Sequence, residues 1–196
     1  MTEHKPHGEG TSYLRIREPQ RVTPELAELQ AEEKARKGFV RHGLTLPFRP
    51  EHLVASQRLV NLLVRSPNGL LPFREREILA VVVSSENRCD VCTIQHATAL
   101  EKTGASKELV DVLAVNWRRA PLSQRERALA EFATKLTRHP QDADESYIDG
   151  LRAAGLSEEE IVEAAQIVGV FNFTNRVTGV LGTRLNPEAH AAYRAG

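Results

Sequence analysis

Four side chains at three fixed intervals hold the chemistry that this 196-residue chain can do. Cys89 and Cys92 are its only cysteines and stand three apart; His96 lies four residues beyond the second, and Glu77 twelve before the first. Thiols so close can alternate between a dithiol and a disulfide. On a helix, positions 89, 92 and 96 fall along one face, so the histidine can meet the sulfurs. Two arguments then name different nucleophiles. The unpaired N–H groups and dipole of a helix start favour a thiolate at Cys89, whereas a base one turn away favours Cys92. We take Cys92 as the attacking thiol and Cys89 as the resolving one. Two blander readings compete. The four side chains could ligate zinc, although no second cysteine pair completes a finger-type site, or the cysteines could simply fill a core.

The elements that must position these groups read as helices throughout. Thr23-Pro24 sets an N-cap before a first-turn proline, and Ser123-x-x-Glu126 and Ser157-x-x-Glu160 have capping-box spacing. Apolar residues follow at helical intervals, as in Leu109, Val112, Leu113 and Trp117, with no hairpin turn between alternating strands. The expected fold is an all-α helical bundle. Asn87 or Ser85 is expected to cap the cysteine helix. A reversal near Glu86 would set Glu77 level with His96, where the carboxylate could orient or deprotonate the imidazole. Two stretches, Ile78–Val83 and residues 161–181, are too apolar for a surface helix, so each must be covered on all sides by its own chain or by a second subunit. A homo-oligomer is expected.

Shifting the chain by 51 residues aligns Arg74-Glu75-Arg76 with Arg125-Glu126-Arg127, Gly104-x-Ser106 with Gly155-x-Ser157, and Glu108 with Glu159, which predicts a duplicated helical unit. The second copy has Ala128, Pro140, Ala143 and Tyr147 in place of Glu77, Cys89, Cys92 and His96, so the chemistry belongs to the first. Residues 1–22, with few apolar positions, read as a flexible tail or an arm over another surface; residues 23–196 read as one domain. The 26 basic and 26 acidic residues cancel, and no basic run exceeds a pair, which argues against nucleic acid as a partner. No apolar run is long enough to span a membrane, and the N-terminus has no apolar signal core, so the cytoplasm is the expected compartment. Thiols there are kept reduced, which favours chemistry over a structural disulfide. His4, His7, His42, His52, His139 and His190 share no ligand spacing and read as solvated. Asn172, Asn175 and Arg176 read either as pocket lining or as groups that satisfy one another.

The pattern Glu77, eleven residues, Cys89-x-x-Cys92, three residues, His96 resembles the signature of the alkylhydroperoxidase D and carboxymuconolactone decarboxylase superfamily, and more closely its peroxidase-related branch. The resemblance extends from about Phe39 to Leu181 and includes Arg74-Glu75-Arg76-Glu77 and Asn175-Arg176-Val177. It implies an internally duplicated all-helical fold assembled as a trimer or hexamer. It also implies a peroxidatic Cys92, a resolving Cys89 and a proton relay of Glu77 with His96, acting on a hydroperoxide. No metal, haem or flavin is implied. The partner is an external dithiol, which in relatives is a lipoyl-bearing protein. One departure stands out: where well-studied alkylhydroperoxidases have a second histidine between the cysteines, this chain has Val91. The alternative function is a disulfide-exchanging or redox-sensing protein that does not turn over peroxide. Decarboxylation of a lactone acid is disfavoured, because family members with that activity lack the cysteine pair.

Overall fold

Three predicted helix starts carry the caps their sequences call for. Thr23 Oγ1 accepts from the Leu26 N–H at the head of α1 (Pro24–Lys37), and reciprocal capping boxes open α6 (Gln124–Arg138) at Ser123/Glu126 and α8 (Glu158–Leu181) at Ser157/Glu160. The other helices are α2 (Pro50–Val60), α3 (Phe73–Glu86), α4 (Asp90–Glu101), α5 (Lys107–Asn116), α7 (Ser146–Ala153) and α9 (Pro187–Arg194). A π-helical turn, Asn61–Arg65, continues α2. The structure, a computed structural model, describes residues 10–15, 21–46 and 49–194, with side chains to 191. Among these residues there is no strand.

The expected tail at 1–22 lies largely outside the described residues. Of the part described, the Tyr13 N–H donates to Leu181 O (2.9 Å) and Thr11 O accepts from the Arg184 N–H (2.9 Å), so this stretch lies over the end of α8.

The two over-apolar stretches are covered in different ways. Ile78–Val83 forms the middle of α3, which packs against α4, α6 and α8, and all six residues are fully buried within the one chain. Helix α8 buries Ile161, Ile167, Val168 and Phe171, yet leaves Val162, Phe173 and Val180 more than half exposed along its outer side.

The duplication is visible in the helix starts. At an offset of 51, Phe73 of α3 corresponds to Gln124 of α6, and Lys107 of α5 to Glu158 of α8. Ser106 and Ser157 are the matching N-caps, and two residues earlier Gly104 (φ 88°) and Gly155 (φ 83°) occupy the same left-handed conformation. The repeated Arg-Glu pairs bind each other crosswise: Arg74 Nε donates to Glu126 Oε1 (2.6 Å), and Arg125 Nε donates to Glu75 Oε1 (2.9 Å). A contact and its copy at i+51 therefore bracket a pseudo-twofold axis between α3 and α6.

Candidate thiol site

The turn between α3 and α4 fixes the cysteines. Helix α3 ends at Asn87; the Arg88 N–H then donates to Ser85 O (3.0 Å) and the Cys89 N–H to Ser84 O (2.9 Å), the paired bonds of a Schellman closure. Arg88 takes the left-handed conformation (φ 54°) that glycine usually fills, at a cost of about 1–2 kcal/mol. Cys89 is at once the last residue of that closure and the N-cap of α4, and its carbonyl accepts the first helical bond, from the Thr93 N–H (2.8 Å). The expected cap at Asn87 or Ser85 is therefore corrected. Asn87 closes α3, and its side chain is turned to α8, where Nδ2 donates to Asn172 Oδ1 (3.0 Å) and Asn175 Oδ1 (3.2 Å). The Ser85 hydroxyl donates to Ala114 O.

Both thiols are free, Cys89 buried and Cys92 half-buried. They do not titrate alike. The neighbouring Cys89 thiol, donating to the Cys92 sulfur, lowers the Cys92 pKa against the cost of burial, with further help from Asn175 and Thr178 and from the charge of Arg41. The same contact with Cys92, and then burial, raises Cys89. Of the two sulfurs, Cys92 is therefore the one whose surroundings favour the thiolate. Thr178 gave no sign in the sequence, since a threonine in an apolar helix is unremarkable without knowing what faces it. Asn175 is held for this contact by its bond to the buried Ser84 hydroxyl (3.2 Å). Asn172 and Arg176 do satisfy neighbours within the chain, because Arg176 Nη1 donates to Asn172 O (2.9 Å) and Asn172 Nδ2 to Thr137 Oγ1 (3.0 Å).

The helix reversal brings Glu77 and His96 together: Glu77 Oε2 lies 2.7 Å from His96 Nδ1, with Glu77 completely buried. Burial lowers the His96 pKa and outweighs the opposing pull of Glu77, so the ring is neutral near pH 7 and donates Nδ1–H to the carboxylate. Its Nε2 has no hydrogen bond to any described residue. The ring meets Phe171 edge-on, 4.6 Å between centroids.

Cys92 and His96 line one cavity of about 550 Å³, walled by Val91, Phe171, Val177 and Leu181 and rimmed by Arg41, Arg49 and His52. Val91, between the two cysteines, gives this wall an apolar side chain. His42 is not simply solvated as expected. It is half-buried, its N–H donates to Asn186 Oδ1 (2.9 Å), its Nδ1 lies 3.1 Å from Arg184 O, and it lines the same cavity. His52 stays exposed at the rim, as do His139 and His190 elsewhere, while His4 and His7 lie outside the described residues. Among the described residues no group of three or more His, Cys, Asp or Glu side chains is placed to hold a metal ion. No described helix is long and apolar enough to cross a membrane.

The model of the carboxymuconolactone decarboxylase family matches residues 50–117, the stretch that holds all four candidate side chains. An uncharacterized peroxidase-related protein from Silicibacter sp. TM1040 is 30% identical over 95% of this chain and 97% of its own, with a TM-score of 0.85. A second uncharacterized peroxidase-related protein, an alkylhydroperoxidase AhpD core from Ralstonia eutropha JMP134, is 28% identical over 90% of this chain and 96% of its own, with a TM-score of 0.79. The debrominase Bmp8 in its apo form shares the fold at 22% identity, covering 90% of this chain and 95% of its own, with a TM-score of 0.73. No curated protein sequence matches the chain.

Proposed function

The chain belongs to the alkylhydroperoxidase D and carboxymuconolactone decarboxylase superfamily, and from that premise we propose that it is a thiol peroxidase acting on organic hydroperoxides. The observation that carries this reading is Cys92, favoured as thiolate over the neighbouring Cys89 thiol, on a cavity shared with a His96 that Glu77 backs.

In this reading His96 Nε2 takes the Cys92 proton, and Glu77 steadies the resulting imidazolium. The thiolate attacks the terminal peroxide oxygen. The O–O bond breaks, Cys92 becomes a sulfenic acid, and His96 returns the proton to the leaving alkoxide as an alcohol. The Cys89 thiol then attacks the Cys92 sulfur, expelling water and forming the disulfide. An external dithiol, such as a lipoyl-bearing protein, reduces that disulfide and restores both thiols. The exposed outer face of α8, with Val162, Phe173 and Val180, is the surface on which we place a second copy of the chain.

Single-turnover oxidation of the reduced protein by one equivalent of cumene hydroperoxide, followed by thiol loss and mass, tests the reading. One intramolecular disulfide, with a sulfenic acid trapped on Cys92 in the Cys89→Ser protein, is the expected result. A rate no faster than that of a free thiol would leave disulfide exchange without peroxide turnover as the better account.

A further inference from the structure

His96 is common to two cavities. Cys92 lines only the one described above, and Glu77 lines only the other, a space of about 390 Å³. The wall of this second cavity carries four cations: Arg36 and Lys37 from α1, Arg65 from the π turn, and Lys102 just beyond α4. Glu77 is its one carboxylate. Nearby Glu33 is shared among Lys37 (3.2 Å), Arg36 (3.7 Å) and Arg41 (3.5 Å), so it offsets only part of the excess. Burial, together with the like charges of Arg41 and Arg36, pulls the Lys37 amine down to about 7, and burial with Arg36 and Arg41 pulls Arg65 down to about 10. Phe39, Phe73 and Ala99 add apolar surface to the same wall.

Glu77 makes a second demand on whatever occupies this space. Its Oε2 is engaged by His96, but its Oε1 is buried without a hydrogen-bond partner among the described residues. A buried acceptor left unpaired is costly, and on this wall the missing partner is a donor. The cavity therefore lacks an anion near its cations and a hydroxyl near Glu77, beside an aromatic surface.

We propose that this cavity is a ligand site, separate from the thiol cavity, for a small hydroxylated carboxylic acid with an apolar ring or chain. The carboxylate pairs with Lys37 and Arg65, the hydroxyl donates to Glu77 Oε1, and the apolar body covers Phe39 and Phe73. An inorganic anion meets only the first of these demands.

Titration calorimetry of the reduced full-length protein with 3-hydroxybenzoate, benzoate and inorganic phosphate tests this. The hydroxy acid should bind once per chain, about tenfold tighter than benzoate and tighter still than phosphate. Lys37→Met and Arg65→Gln should each weaken it by about tenfold or more, at an unchanged melting temperature without ligand for at least one of the two. Arg49→Gln, at the rim of the thiol cavity, should leave it unchanged. The Cys92→Ser protein should bind equally well, so the result stands apart from the peroxidase reading. Absence of binding, equal affinity for benzoate, tighter binding of phosphate, or loss with Arg49→Gln in place of Lys37→Met would each overturn the proposal.

Discussion

The unit formed by α3, α4 and α5 and the one formed by α6, α7 and α8 start their outer helices 51 residues apart, cap the last of them, α5 and α8, with matching serines, and differ in what they carry between. In the first, α4 runs twelve residues from a cysteine cap and stands against α3, with His96 on Glu77. In the second, Pro140 opens a short 3-10 turn, α7 has only eight residues, and Tyr147, which stands where the first unit has His96, donates its hydroxyl to His139 O (2.9 Å) near the surface. The repeated caps and crosswise Arg-Glu pairs are scaffold. The proposed chemistry lies on one side of a scaffold that does not need it, so the two should come apart under mutation.

The largest effect expected is on chemistry alone. Cys92→Ser should slow peroxide-driven thiol loss by about a thousandfold or more while leaving the melting temperature within a few degrees, because a serine of nearly the same shape replaces a half-buried thiol. The opposite signature belongs to the scaffold. Ile78 of α3 and Leu129 of α6 are equivalent by the offset of 51, and both are fully buried. Each, truncated to Ala, should cost about 2–5 kcal/mol of unfolding free energy by urea titration. Equal costs would support the symmetry of the core, and a cost confined to Ile78 would break it.

Glu77 lies on the border between the two roles. Glu77→Gln keeps the shape and loses the charge that, in the proposed reaction, steadies a protonated His96, so oxidation should slow by about a hundredfold. The pH dependence has a definite sign. Because burial lowers the His96 pKa below its unfolded value, the unfolded chain takes up a proton first, and this residue's contribution to stability is lost as pH falls through that unfolded value near 6.5. A His96→Gln protein should show a flatter fall in urea midpoint between pH 7 and 5. An equal fall would place the acid sensitivity elsewhere.

Local and repeated features were legible in the sequence, and long-range ones were not. The caps at Thr23, Ser123 and Ser157 depend on neighbours within a turn, the offset of 51 shows as repetition, and the Glu77–His96 pair followed from helix length and the position of the reversal. The cap of α4 was misplaced because the Schellman closure uses Arg88 where a glycine would have announced it. Lys37 and Arg65 drew no attention, since a basic residue on an amphipathic helix reads as solvated. Only the docking of α1 on α2 through Leu26, Leu29 and Val54, and the π turn after α2, bring them to one cavity. Thr178 and His42 were missed for the same reason, as their roles depend on what a distant helix sets in front of them.

The finest test of the comparison is the crosswise ion pairs. Arg74–Glu126 and Arg125–Glu75 should be energetically alike if the axis between α3 and α6 is a true pseudo-dyad. Each pair is only partly buried, so double-mutant cycles with Arg→Met and Glu→Gln should return couplings of about 0.3–1 kcal/mol, falling with salt. Gln is the right replacement at position 126, because it can keep the bond to the Ser123 N–H while losing the charge. The single substitutions should not be alike. Arg125 also donates to Glu160 Oε1 (2.6 Å) and to Gly155 O (3.3 Å), contacts that Arg74 has no counterpart for, so Arg125→Met should cost more than Arg74→Met. Equal couplings with unequal single costs would mean that the duplicated contact has kept its strength while one copy took on a further duty, tying α6 to the start of α8.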